Sequence, residues 1–217
     1  MKGGYAGRIL HVDLSSGRTE IMPLDPSWAR EWIGGLGFGT SIFLDRVLRG
    51  DGEGKLPDPL SPDNPFVLMT GPLTGARMDA VARWTVGARS PLTGFWGEAN
   101  VGGHFGARLK AAGWDGLVIE GKAPSPCYLR IVEDSVTLEN AETYWGLDTY
   151  STEEKLLAAE SAISNAESGP GSSSRGEVVS IGPAGENLVR FAALVHRPAY
   201  KMYPEYLREN GYEEYLL

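Results

Sequence analysis

The tetrapeptide Pro-Leu-Thr-Gly occurs twice, at Pro72–Gly75 and Pro91–Gly94, nineteen residues apart and each time just after a short strand-like run. Proline fixes φ near about −65° and glycine takes the positive φ that other residues avoid, so each copy turns the chain sharply at a strand end. The repeat therefore predicts two strand-to-turn elements of similar shape. Glycine and proline punctuate the whole chain, at 29 and 14 of 217 residues. With neither a collagen period nor low complexity, that content implies tight turns and close backbone approaches.

Composition narrows the function classes. A chain that is 42% hydrophobic and 22% charged can bury a core. A net charge of −8 argues against a general nucleic-acid binder, which needs surplus Lys and Arg to displace counterions from phosphates. The sequence contains no long apolar run, and its start, MKGGYAGRIL, lacks the features of a secretory signal, which predicts a cytoplasmic protein without a membrane partner. The single cysteine, Cys127, can form no internal disulfide and cannot alone ligate zinc or an iron–sulfur cluster.

Along the chain, alternating Leu10, Val12 and Leu14, a Ser15-Ser16-Gly17 turn and Thr19, Ile21 and Met22 predict a hairpin over 8–24. Asp25-Pro26 starts a helix through Ile33, and a second helix is expected from Thr40 to Leu48. Residues 50–65 read as a loop, Phe66–Thr70 and Arg83–Ala88 as strands, and Gly103–Ala112 as a helix. Leu117–Ile119 reads as a buried strand, and Tyr128–Val132 with Val136–Leu138 as a second hairpin. Ser151-Thr152-Glu153-Glu154 has the capping-box pattern and opens a helix to about Ile163. Ser164–Gly176 reads as a linker, Leu188–Leu194 as a strand, and the last eighteen residues hold five of the nine tyrosines. The domain is placed at 1–197 and a divergent tyrosine-rich tail at 198–217. Gly34–Gly39 imitates a dinucleotide fingerprint, but without the preceding strand and the later acidic residue it does not read as a Rossmann site.

Several segments, in order, resemble the N-terminal domain of the tungsten-containing aldehyde ferredoxin oxidoreductases. They are Gly7-Arg8-Ile9, Asp13–Gly17, Trp32-Ile33-Gly34-Gly35, Gly71–Gly75, Ser90–Phe95, Ala99–Gly106 and Ile181–Asn187. The resemblance runs from Gly4 to Arg197. It implies an α+β fold in which two β-sheets form a saddle-like cofactor platform with peripheral helices. It also implies a bis-pterin tungsten cofactor whose two phosphates are bridged by magnesium. By position, Arg83 matches the family's cofactor-contacting arginine, and a guanidinium can clamp a phosphate through paired hydrogen bonds. Asn100 matches the residue that helps hold the magnesium, while Gly102 and Gly103 let the chain pass beneath the cofactor. Each has a plainer reading: Arg83 as a strand-end arginine, Asn100 as a turn or helix cap, and the Pro-Leu-Thr-Gly turns as structural punctuation.

No catalytic residue is assigned. His11, His104 and His196 are too scattered for a metal set, and Cys127 reads as a small buried hydrophobe. Family members are considerably longer, and their later helical domains carry the 4Fe–4S cluster and the aldehyde-handling residues. After His196-Arg197 this sequence departs from the family pattern, with Pro198 where an alanine and a glycine-rich loop are expected. One expectation is therefore the platform of an enzyme oxidising an aldehyde to a carboxylic acid, not active as this chain alone. The cluster would not be ligated by this chain; a separately encoded helical iron–sulfur subunit would hold it and reach ferredoxin. The other expectation is a truncated or diverged, non-catalytic binding module. Homo-oligomerisation is left open.

Overall fold

The computed structural model describes residues 3–49, 56–168 and 176–196. Arg197, Pro198 and the tyrosine-rich tail, together with most of the linker expected after Ser164, lie outside the described residues. Strands β1 (Arg8–Asp13), β2 (Arg18–Pro23), β3 (Phe66–Thr70), β4 (Trp84–Arg89), β5 (Trp96–Val101) and β6 (Gly116–Glu120) form one sheet in the order β2-β1-β6-β3-β4-β5. Its pairs are antiparallel except β1 with β6, which is parallel. Strands β7 (Cys127–Val132) and β8 (Ser135–Asn140) form a separate two-stranded sheet. The α+β class and the presence of two sheets agree with the sequence-based expectation.

The large sheet buries both faces. Successive side chains on a strand point to opposite sides, so Ile9, Val67, Met69 and Val118 line one core while Leu10, Val12, Leu68 and Leu117 line the other. Helices α1 (Pro26–Trp32) and α2 (Leu36–Arg49) cover the first face, where Phe38 is fully buried and stacks on Trp28 with ring centroids 4.2 Å apart. Helix α3 (Phe105–Ala111) and the β7–β8 pair cover the second, around Trp84 and Trp114. Burying each such aliphatic or aromatic side chain contributes about 1.5–3 kcal/mol, so the two-sided strands anchor the molecule. Asp25 caps α1 by accepting from the amides of Ser27 (2.8 Å) and Trp28 (3.0 Å), with Pro26 at the first helical position.

Several expectations need correction. Helix α2 starts at Leu36, not Thr40, and so includes Gly37 and Gly39. Both glycines are set by packing: a Cβ at Gly37 would lie 2.0 Å from the Trp32 carbonyl oxygen, and one at Gly39 3.0 Å from Val67. The segment Trp96–Val101, for which no element was expected from the sequence, is a strand; it pairs in full with β4 at the sheet edge. Helix α4 (Thr149–Ser168) starts before the expected capping box, because the Asp148 carboxylate accepts from the amides of Tyr150 and Ser151, each at 2.9 Å. The helix also runs through Ser164–Ser168, which reads as linker. Leu188–Leu194 is not a strand. After helix α5 (Gly182–Glu186), Leu188 has φ 55° and successive turn bonds, Leu188 to Gly185 (2.9 Å) and Ala192 to Val189 (2.9 Å), keep the backbone from extending. Among the described residues, no helix is long and apolar enough to cross a membrane.

Candidate functional site

The first Pro-Leu-Thr-Gly turn is built inward. The Thr74 hydroxyl accepts the Gly71 amide (3.0 Å) and donates to the Arg83 carbonyl (2.8 Å), tying the end of β3 to the start of β4. Gly75 closes the turn at φ 80° and donates its amide to the Val81 carbonyl (3.0 Å). Thr74 is buried although the turn it belongs to is at the surface.

A second corner packs against this turn. Between α1 and α2 the chain passes through Ile33, Gly34 and Gly35, all at positive φ. Gly35 donates its amide to the Thr70 carbonyl (3.0 Å), and a Cβ at Gly34 would lie 3.0 Å from both that oxygen and Gly71 Cα. Only glycine lets the two backbones come this close.

A third segment completes the grouping. On β4 and β5, Thr85 sits opposite Asn100, and its hydroxyl donates to Asn100 Oδ1 at 3.2 Å. A Cβ at Gly35 would lie 3.2 Å from the same hydroxyl, so the α1–α2 corner, Thr85 and Asn100 are neighbours. Gly102 and Gly103 follow β5; Gly102 has nothing within 4 Å of where a Cβ would stand, and Gly103 takes φ 78°. The buried Trp84 indole donates to the Gly102 carbonyl (3.1 Å), fixing the glycine pair from below.

Arg83, Asn100, Gly102 and Gly103 are therefore brought to one end of the β3-β4-β5 part of the sheet. Arg83 is exposed, and among the described residues its guanidinium has no hydrogen-bonding or ion-pairing partner. Asn100 is exposed on a strand and caps no helix; the residue at the start of α3 is His104. Thr74, Thr85, Trp84 and the Ile33–Gly35 corner belong to the same grouping. The doubled turn could have pointed to Thr74, and Trp32-Ile33-Gly34-Gly35 to the corner, but no local signal marks Thr85 or Trp84.

The other chemistry-bearing residues stand elsewhere. His11 pairs with Glu120 (2.7 Å), and His196 with Glu177 (2.9 Å) in a buried pair beside the Trp84 and Phe105 rings. Cys127 opens β7 half-buried, and burial raises its thiol pKa. Among the described residues, no three His, Cys, Asp or Glu side chains are grouped to hold a metal ion.

Known proteins are similar to this chain in sequence and fold. The tungsten-containing aldehyde ferredoxin oxidoreductases of Pyrococcus horikoshii and Pyrococcus abyssi are 40% and 41% identical over 199 residues, 90% of this chain. The chain spans 30% of the length of each. An aliphatic sulfonate oxidoreductase, WOR-like subunit, of Pyrococcus furiosus is 34% identical over 92% of this chain and 32% of its own length. Among solved structures, the active site complex BamBC of benzoyl coenzyme A reductase, in complex with 1,5 dienoyl-CoA, matches with a TM-score of 0.77. It is 32% identical and covers 90% of this chain and 27% of that one. The family defined as the aldehyde ferredoxin oxidoreductase N-terminal domain matches residues 9–209, and this chain belongs to that family.

Proposed function

We propose that this chain is the cofactor platform of an aldehyde-oxidising tungsten oxidoreductase, its two sheets forming the saddle that carries a bis-pterin tungsten cofactor. The observation that carries the reading is the grouping of three glycine-bearing backbone segments, Gly34-Gly35, Gly71–Gly75 and Gly102-Gly103, at the end of the sheet where the exposed Arg83 starts β4. These residues fit such a group. The open space at Gly102 admits a ligand edge against bare backbone, and Arg83 offers an exposed guanidinium to a phosphate. Asn100 and the neighbouring carbonyls offer the hard oxygen donors that a phosphate-bridging magnesium takes. When bound, the cofactor supplies the two-electron oxidation of an aldehyde to a carboxylic acid, and this chain positions and shields it.

The relatives are named for aldehyde, aliphatic sulfonate and benzoyl coenzyme A chemistry, and this chain resembles all of them over nine-tenths of its length. A segment common to such different substrates is suited to setting the cofactor, not the substrate. Substrate choice, the 4Fe–4S cluster and the route to ferredoxin are assigned to helical sequence beyond the matched region, carried by a partner subunit or a further segment. The platform occupies 1–197, with 198–217 a divergent tail, and the protein works in the cytoplasm.

Arg83→Ala and Asn100→Ala test the reading in the chain purified with its completing subunit. Elemental analysis for tungsten and pterin fluorescence are expected to fall about tenfold or more for Arg83→Ala, the worth of a lost charge-assisted contact, and less for Asn100→Ala. Circular dichroism stays unchanged, since both side chains are exposed. Unchanged retention in both variants overturns the site, and a reconstituted pair without pterin overturns the platform.

A further inference from the structure

Ile33 is strained, and packing does not hold it there. Its φ of 64° and ψ of −54°, with the Gly34 amide donating to the Trp32 carbonyl at 2.7 Å, make a γ-turn of the rare hand. A β-branched residue at positive φ is a genuine outlier, and such a conformation persists only where the surroundings over-determine it. Ile33 is 62% exposed, so its own burial supplies little of that constraint.

Besides the backbone bond from the Ile33 amide to the Ala29 carbonyl (3.0 Å), a constraint comes from the N-terminal segment. The Tyr5 hydroxyl donates to the Ile33 carbonyl at 2.6 Å and reaches the Ala29 carbonyl at 3.4 Å. The segment is itself clamped by Asp115, fully buried, whose carboxylate accepts from the amides of Ala6 (3.0 Å) and Gly7 (2.6 Å) and from Lys110 Nζ (2.5 Å). Lys110 also donates to the Gly4 carbonyl (3.1 Å). Burial and the Asp115 charge raise the Tyr5 pKa further above neutrality. Asp115 reaches the same corner from the other side: its carbonyl accepts the Thr70 amide (2.9 Å) and hydroxyl (2.7 Å), and the Thr70 carbonyl accepts the Gly35 amide (3.0 Å). Gly4 meanwhile lies so close to the first Pro-Leu-Thr-Gly turn that a Cβ there would stand 2.2 Å from the Pro72 carbonyl oxygen.

We propose that Tyr5 is a positioning residue of the platform: anchored through Asp115, it holds the Ile33 turn and so presents Gly34 and Gly35 beside Thr70 and Thr85. Its consequence for the cofactor rests on the platform reading above; the hydrogen-bond network does not. The test is Tyr5→Phe in the full chain, which removes one hydroxyl and keeps the ring. Amide hydrogen exchange at Gly34 and Gly35 is expected to speed up by about five- to tenfold, the worth of one net hydrogen bond, with β7 and β8 unchanged. Tungstopterin is expected to leave the loaded complex faster by a similar factor. Tyr5→Phe combined with Ile33→Gly restores retention, because glycine adopts positive φ without the phenol. Unchanged exchange at Gly34 and Gly35, acceleration spread equally to β7 and β8, or a double variant no better than Tyr5→Phe overturns the proposal. If the unsubstituted complex holds no tungstopterin, the platform reading fails by itself, and the exchange measurement still decides the role of Tyr5.

Discussion

In the first Pro-Leu-Thr-Gly turn Thr74 is buried and bridges Gly71 to Arg83, whereas in the second Thr93 is exposed and, among the described residues, its hydroxyl accepts only the nearby Phe95 amide at 3.3 Å. Both turns close on a glycine at positive φ, 80° at Gly75 and 74° at Gly94. Their neighbours differ. Both lie between adjacent antiparallel strands, but the first opens the long 71–83 connection, packs against Gly4 and Gly34 and leads toward Arg83, whereas the second sits in the short 90–95 connection, with the Arg89 guanidinium donating to the Gly94 carbonyl at 2.7 Å. One tetrapeptide thus serves as a junction of three segments in one place and as a hairpin turn in the other. A short motif fixes backbone shape, but long-range partners decide what that shape is for.

Glycine substitutions should separate the two turns most strongly. Gly34→Ala, at φ 150° with a Cβ 3.0 Å from Gly71 Cα, is expected to cost about 2–3 kcal/mol in urea unfolding. Gly94→Ala meets nothing nearer than 3.8 Å and carries only the positive-φ penalty, about 1 kcal/mol. Equal losses would dissolve the contrast.

The threonines give the next largest difference. Thr74→Val leaves the Gly71 amide and Arg83 carbonyl without their partner and is expected to cost about 1–3 kcal/mol, while Thr93→Val stays within about 0.5 kcal/mol. The second turn has a support of its own in Asn64, which accepts the Arg89 amide (3.1 Å) and donates to the Arg89 carbonyl (3.0 Å). Asn64→Ala is expected to cost about 1–2 kcal/mol and, under the proposed platform role, to leave pterin retention unchanged where Thr74→Val lowers it. A fall in retention for Asn64→Ala would show that the two turns act together.

The smallest effect is on acid stability. Asp25, at the helix leading into the first turn's corner, has its pKa lowered chiefly by the Ser27 hydroxyl and then by the Trp28 and Ser27 amides. A carboxyl lowered in the folded state adds stability that is complete above its ordinary range and is lost as pH falls through the lowered folded-state value. Asp25→Asn should therefore reduce the acid-side fall of the melting temperature while changing the neutral value little. Asp148, lowered chiefly by the Ser151 hydroxyl, does the same at α4, away from both turns. Its Asn variant should shift acid stability without touching exchange at Gly34.

Local chemistry was enough to read both hairpins, β3, β4, β6 and the Asp25 cap from the residues. Alternation and apolar runs report burial directly, and a cap needs only neighbours three residues away. Of the candidate site, Arg83, Asn100 and the Gly102-Gly103 pair were named from motif order, and the structure places them at one end of the sheet. Where reading failed, a distant partner had overruled local preference. Gly37 and Gly39 argue against helix, yet α2 holds them because Trp32 and Val67 leave no room for a side chain. β5 contains poor strand formers and is held by its full register with β4. Ser164–Ser168 reads as linker but continues α4.

The sequence by itself determined the positions where the backbone must turn and the segments that are buried, because glycine, proline and apolar spacing act through the residue's own conformational freedom and burial. The ordered motifs pointed to the family and through it to the class of fold. Only the tertiary structure decided that one Pro-Leu-Thr-Gly turn meets the Gly34-Gly35 corner while the other does not, and that Asp115 ties the N-terminal segment to both Ile33 and Thr70. Those choices depend on hydrogen bonds between groups far apart in the chain, which no local pattern encodes.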